Sequence, residues 1–171
     1  IRKLVDFRIL NPGYFLVFAN IINNAICSHL HQRMGVLPSS EKLVGYDCLD
    51  FVGWSDPKFA VYVHETFFNN YKLKKLGTYK FSKWELYFVE RFSINCFAFF
   101  GKDFAEFNGI VGENEESWLS EIKPAILGRA NVIFGESLVS HFAFYPQRNK
   151  LDQTNILDRY QEIALRECSV D

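Results

Sequence analysis

The chain is 171 residues long, enough for one ordinary domain with a single core, and its 49% hydrophobic and 17% aromatic content exclude a disordered or low-complexity polypeptide. A formal net charge of -1 gives no global electrostatic reason to bind nucleic acid, whose phosphates call for clustered basic surface. No apolar run approaches the ~20 residues of a membrane span and no signal peptide is recognisable, so a cytoplasmic setting is expected.

In chain order, Leu4, Phe7 and Arg8 fit the last turn of a helix, Asn11-Pro12-Gly13 is a turn signal, and the β-prone run 14–19 reads as a buried strand. Residues 21–33 show no clean period and read as a loop with one helical turn, closed by Gly35 and Pro38. Within it, Cys27-Ser28-His29-Leu30-His31 superficially resembles a metal cluster. Two histidines two apart share a side only on a strand, however, and diverge by about 200° on a helix. Asp56-Pro57 opens a helix to about Leu76, with proline at the first helical position and Gly77 as its stop. His64-Glu65 lies inside it, but Phe68 stands where the second histidine of H-E-x-x-H belongs, which excludes a zincin. The basic run 72–75 reads as the solvated end of this helix.

Residues 81–90 fit strand or helix equally, 93–100 form a strand ended by Gly101, and 103–107 a short helix before the Gly109 and Gly112 turns. Asn114 is placed to cap a helix carrying Glu115, Glu116, Trp118, Leu119 and Ile122, which ends between Pro124 and Gly128. Two strands, 131–134 and 138–144, flank Gly135. Residues 152–167 then form an amphipathic helix with Ile156, Leu157, Tyr160, Ile163 and Ala164 apolar. With no repeat or linker, the expectation is one α/β domain, a mixed sheet flanked by helices.

Several side chains carry chemical potential. Glu113, Glu115 and Glu116 are crowded like charges, which raises a carboxylate toward the range of a general base, although acids in a first helical turn also simply stabilise the macrodipole. His141 stands in an apolar run, where a neutral imidazole must find a partner or water, and the nearby Gln147 and Arg148 suit a phosphate. Asn20, Asn23 and Asn24 follow a strand, placed either to bind sugar hydroxyls or to form a turn. Cys27, Cys48, Cys96 and Cys168 form no C-x-x-C pair and read as reduced, packed thiols.

Taken together, FRILNPGYFLVFANIINN (residues 7–24) and ENEESWLSEIKPAILGRANVIFGESLVSHFAFYPQR (residues 113–148) resemble the C-terminal, acceptor-side half of a GT-A-type nucleotide-sugar glycosyltransferase. The resemblance implies a GT-A-like sheet incomplete at its N-terminus, a nucleotide-sugar donor, a glycan or other hydroxyl acceptor, and a divalent metal, Mn or Mg. It implies that Glu115 or Glu116 deprotonates the acceptor, that His141 ligates the metal, and that Arg148 helps hold the diphosphate. Asn20, Asn23, Asn24 and Trp118 would contact substrate, with Trp54 and Trp84 as further aromatic surfaces for sugar rings. The chain departs from the family pattern in two places. Its acidic motif is Asn114-Glu115-Glu116 rather than E-D, and it has no D-x-D, Asp47-Cys48-Leu49-Asp50 having the wrong spacing. An acceptor-side half alone should leave apolar side chains near residues 14–18 without partners. A non-catalytic carbohydrate-binding domain and a metal-dependent hydrolase built on Cys27, His29, His31 or His141 are the alternatives from other classes.

Overall fold

The computed structural model describes residues 1–40, 42, 51–75, 83–86, 92, 95–105, 114–142, 147–151 and 155–167. They fall into two compact units, Ile1–Asn20 with Lys80–Val139 and Ile21–Tyr79 with Ser140–Asp171.

The first unit is an α/β arrangement around a small mixed sheet. Helix α1 (Arg2–Leu10) is followed by strand β1 (Val17–Ile22), whose residues are all buried. Burial of every residue, with Asn20 the one polar side chain, is what a central strand covered on both faces shows. Strands β2 (Lys83–Leu86), β3 (Phe97–Ala98) and β4 (Asn131–Ser140) complete a sheet of order β2-β4-β1-β3. β2 is antiparallel to β4, with Lys83 opposite Phe134 and Leu86 opposite Asn131, and β3 is antiparallel to β1. The two central strands run parallel: Phe15 N–H donates to Ala130 O (2.9 Å) and Val132 N–H to Leu16 O (3.0 Å), the numbers rising together.

Several expectations change here. The strand expected at 14–19 starts later and reaches Ile22. Phe15, Leu16, Val17 and Phe18 are fully buried, and the Phe18 ring lies 4.2 Å from Phe92 and 5.9 Å from Phe97, so these side chains do not lack partners. The two strands expected around Gly135 are one, because the Asn20 amide donates to Gly135 O (3.2 Å) and keeps that residue in the ladder. The undecided segment at 81–90 is a strand over Lys83–Leu86, and the strand at 93–100 is only Phe97–Ala98 among the described residues. Helix α5 (Gly101–Ala105) follows it.

The second unit is helical. Residues 21–33 are not a loop: β1 ends, Asn23 takes a left-handed conformation, and α2 (Ala25–Arg33) begins. Asn24 makes this possible by capping the helix, its Oδ1 accepting Cys27 N–H at 3.0 Å. Helix α3 (Val52–Ser55) precedes α4 (Pro57–Lys75), whose start is as the sequence predicts: Asp56 Oδ1 accepts the amides of Lys58 and Phe59. α4 packs with α9 (Ile156–Glu167), where Ala60, Leu151, Ile156 and Tyr160 form a core bordered by Phe142. Leu157, expected on the apolar side of α9, is instead exposed. A Lys72–Glu167 ion pair (2.7 Å) and an Arg159–Glu65 pair join the same two helices. No helix among the described residues is long and apolar enough to cross a membrane.

Candidate functional site

The parallel strands β1 and β4 end next to one another, His141 N–H donating to Ile22 O at 3.3 Å. Asn23, the next residue of the first strand, is buried with φ at +69°. Asparagine tolerates that region better than other residues with a β-carbon. Its Nδ2 donates to His141 O (3.2 Å) and to Gly53 O (3.5 Å), so one amide joins three segments of the second unit. Its Oδ1 is buried without a hydrogen-bond partner among the described residues. Gln147 Nε2 also donates to Gly53 O (2.6 Å), and Tyr160 OH donates to Gln147 Oε1 (3.1 Å).

Gly53 permits this approach. A β-carbon there would stand 2.1 Å from Asn23 Oδ1 and 2.5 Å from the Phe51 ring, far inside contact distance. Gly53→Ala is therefore expected to destabilise the protein by about 1–3 kcal/mol through overpacking. Urea denaturation checks it, and an unchanged midpoint would show that Asn23 and Phe51 give way freely.

His141 is half-buried, and burial lowers its pKa from the ordinary histidine value. His64 lies behind it, with its ring stacked on Phe142 at 4.5 Å and its Nδ1 2.7 Å from Ala60 O. Burial pushes His64 down to about 4, against the smaller upward pull of that carbonyl. Arg148 is exposed on α8 (Arg148–Leu151). Asn24, expected to bind substrate, has its side chain engaged in the α2 cap. His29 is exposed and His31 enclosed on α2, so the pair shares no face. Among the described residues no group of three or more His, Cys, Asp or Glu could hold a metal ion.

The acidic residues belong to the first unit. Asn114 Oδ1 accepts Ser117 N–H at 3.2 Å, capping α6 (Glu115–Ser117), on which Glu115 is exposed and Glu116 half-buried. A π turn (Trp118–Ile122) and α7 (Lys123–Leu127) continue the helix to Gly128, which closes it in the left-handed region. Trp118 is half-buried, with the Lys123 ammonium 5.3 Å from its ring centre. Asn20, also expected to bind substrate, is fully buried and bonded to Gly135 O. Glu113, Gly109, Gly112, Cys48, Cys168 and the Asp47–Asp50 motif lie outside the described residues, as does the Trp84 side chain. The structure thus brings Asn23 to His141, and holds Glu115, Glu116 and Trp118 on one short helical stretch.

The sequence reading missed an ionic triad in the first unit, built on the buried Arg8 and Asp103 and the partly exposed Arg129. Asp103 accepts from Arg8 Nη2 (3.1 Å) and from Arg129 Nη1 (2.8 Å) and Nη2 (3.2 Å). Arg129 Nη2 also donates to the Tyr14 and Pro12 carbonyls, and the Arg8 guanidinium lies 3.8 Å from the Phe100 ring centre. A shallow groove of about 450 Å³ runs beside Arg8, walled by Val5, Ile9 and the aromatic side chains of Phe97, Phe99 and Phe100. The available signal was Arg8 standing four residues after the buried Leu4, on the helix face that faces inward.

No known family, curated protein or solved structure matches the chain.

Proposed function

We propose that this chain is the acceptor-side portion of a GT-A-like, cytoplasmic glycosyltransferase that moves a sugar from a nucleotide-sugar donor to a glycan or other hydroxyl acceptor. The supporting observation is the placement of Asn23 and His141 at the adjoining carboxyl ends of two parallel strands. Ligands of open α/β sheets bind outside that edge. In this reading Glu115 or Glu116 takes the proton of the acceptor hydroxyl as its oxygen attacks the anomeric carbon, the bond to the diphosphate oxygen breaks, and the nucleoside diphosphate leaves. The Arg148 guanidinium, which matches a phosphate in geometry as well as charge, and His141 hold the leaving group. Trp118 offers its ring face to the acceptor sugar.

A divalent metal, Mn or Mg, belongs to this reading as the group that neutralises the departing diphosphate. His141 is the ligand assigned to it here. The described residues do not by themselves assemble a metal centre, and no step above is routed through one.

Glu115→Gln and Glu116→Gln in the full-length protein separate base from bystander. The base variant should lose ~10²-fold or more in turnover while still binding donor. His141→Ala should weaken donor binding. Turnover unchanged in both glutamine variants would remove the catalytic assignment.

A second reading, a non-catalytic carbohydrate-binding domain, draws on the N-cap at Asn114: Glu115 and Glu116 occupy the first turn, where carboxylates stabilise a helix with no catalytic role. Glycan binding that persists unchanged after chelation, with no transfer from any nucleotide sugar, would favour it.

A further inference from the structure

Pro124 lies at the second position of α7, within a helical stretch that begins nine residues earlier at Glu115. Proline has no amide, and its ring presses on the carbonyl four residues back, here that of Ser120. The turn before it is widened: Lys123 N–H reaches five residues back to Trp118 O, the bond of a π turn. Ser120 and Leu119 hold the carbonyls that an amide at position 124 would serve, at four- and five-residue spacing. Both are taken up by one side chain. Asn131 Nδ2, at the start of β4, donates to Leu119 O (3.1 Å) and Ser120 O (3.2 Å), while its Oδ1 accepts Leu16 N–H (3.1 Å). Asn131 is fully enclosed, so its amide is fixed against the sheet on one side and against the helix on the other.

We propose that Asn131 is a positioning residue: standing in for the amide that Pro124 lacks, it holds the π turn that sets the direction in which Glu115, Glu116 and Trp118 are presented. One residue of winding is about 100° of rotation, so closing this turn to ordinary α geometry would swing the acidic turn round relative to α7. π turns of this kind recur at functional sites because they re-aim side chains without breaking the helix. The catalytic consequence rests on the reading of Glu115 or Glu116 as the base; the structural one does not.

Three variants test it. Pro124→Ala restores the amide and favours helix, Asn131→Asp keeps the acceptor for Leu16 and removes the donors, and the double variant replaces the lost donors by the restored amide. In the double variant the amide at position 124 should become protected from hydrogen exchange and the Trp118 indole resonance should move as its ring leaves the Lys123 ammonium, whereas in Pro124→Ala, where Asn131 still occupies both carbonyls, neither should change. Asn131→Asp alone should lower the urea midpoint, and the double variant should recover it. Transfer from a panel of UDP- and GDP-hexoses should remain at least 10-fold below wild type in the double variant, with KM for the donor unchanged. Recovery of turnover together with stability, with Trp118 unmoved, would show that Asn131 only supports the fold and would overturn the proposal. A wild-type protein that transfers none of these sugars would defeat the glycosyltransferase reading, while the Trp118 shift and the protection at position 124 still decide whether Asn131 holds the turn.

Discussion

Asp103→Ala is expected to cost about 3–5 kcal/mol, because it leaves the Arg8 guanidinium, 2% exposed, without its counter-charge. Against the ~5–15 kcal/mol that holds a typical domain together, that is a large share. The carboxylate bonds both arginines, and Arg129 in turn fixes the Pro12 and Tyr14 carbonyls that lead into β1. Losing Asp103 therefore loosens the entry to the central strand as well as the triad. Replacing the whole triad by apolar side chains of similar volume should cost far less than the single change, since removing every charge avoids an orphaned one. Urea midpoints of the single and triple variants make the comparison; equal losses would show that packing, not charge, holds this site. Burial raises the Asp103 pKa, but the bonds and charges of Arg129 and Arg8 outweigh it and hold the carboxyl below its ordinary value. Its contribution is accordingly complete above the unfolded carboxylate range and is lost as pH falls through the lower folded value.

Acidification to pH 5 is expected to remove about 4 kcal/mol from the second unit. Burial pushes His31 down to about 3 and His64 to about 4, against an unfolded value near 6.5. A histidine with a depressed folded pKa stays neutral in the native state while the unfolded chain takes up the proton. Its stabilising effect is therefore complete above pH 6.5, falls as pH drops below it, and stops falling at the folded pKa. Between pH 6.5 and 5 each ring contributes about 2 kcal/mol of loss, at ~1.4 kcal/mol per pH unit. Both rings face aromatic neighbours: His31 lies 4.6 Å from the Phe67 ring, and His64 is stacked on Phe142 with Tyr160 beyond. Urea midpoints measured from pH 7.5 to 4.5 check this, and His64→Leu should halve the slope. A midpoint flat over that range would mean that water reaches both rings.

What the sequence determined by itself is what local forces control. The start of α4 follows from Asp56 and Pro57 because a cap acts on amides two and three residues away. The helix after Asn114 and its end at Gly128 follow from the same short-range bonding, and α9 from a period that needs no knowledge of its partner. The run at 14–19 pointed to a buried strand because apolar residues occupy every position, although the strand itself is Val17–Ile22. Pro124 read only as the beginning of the helix end at Gly128, although the helix continues through it to Leu127.

Only the tertiary structure decided which groups answer these local signals. Nothing near Pro124 in the chain reveals that Asn131 supplies its missing donor from another element. Asn23 and His141 are 118 residues apart, and Arg8 and Asp103 are 95 apart. Residues 21–33 read as a loop because the cap at Asn24 was taken for a turn, and β4 read as two strands because the amide that holds Gly135 in the ladder comes from Asn20. The physical reason is common to all of them. A buried polar group must be satisfied, but which partner satisfies it depends on what packing brings within 3 Å, and that distance is set in space rather than along the chain.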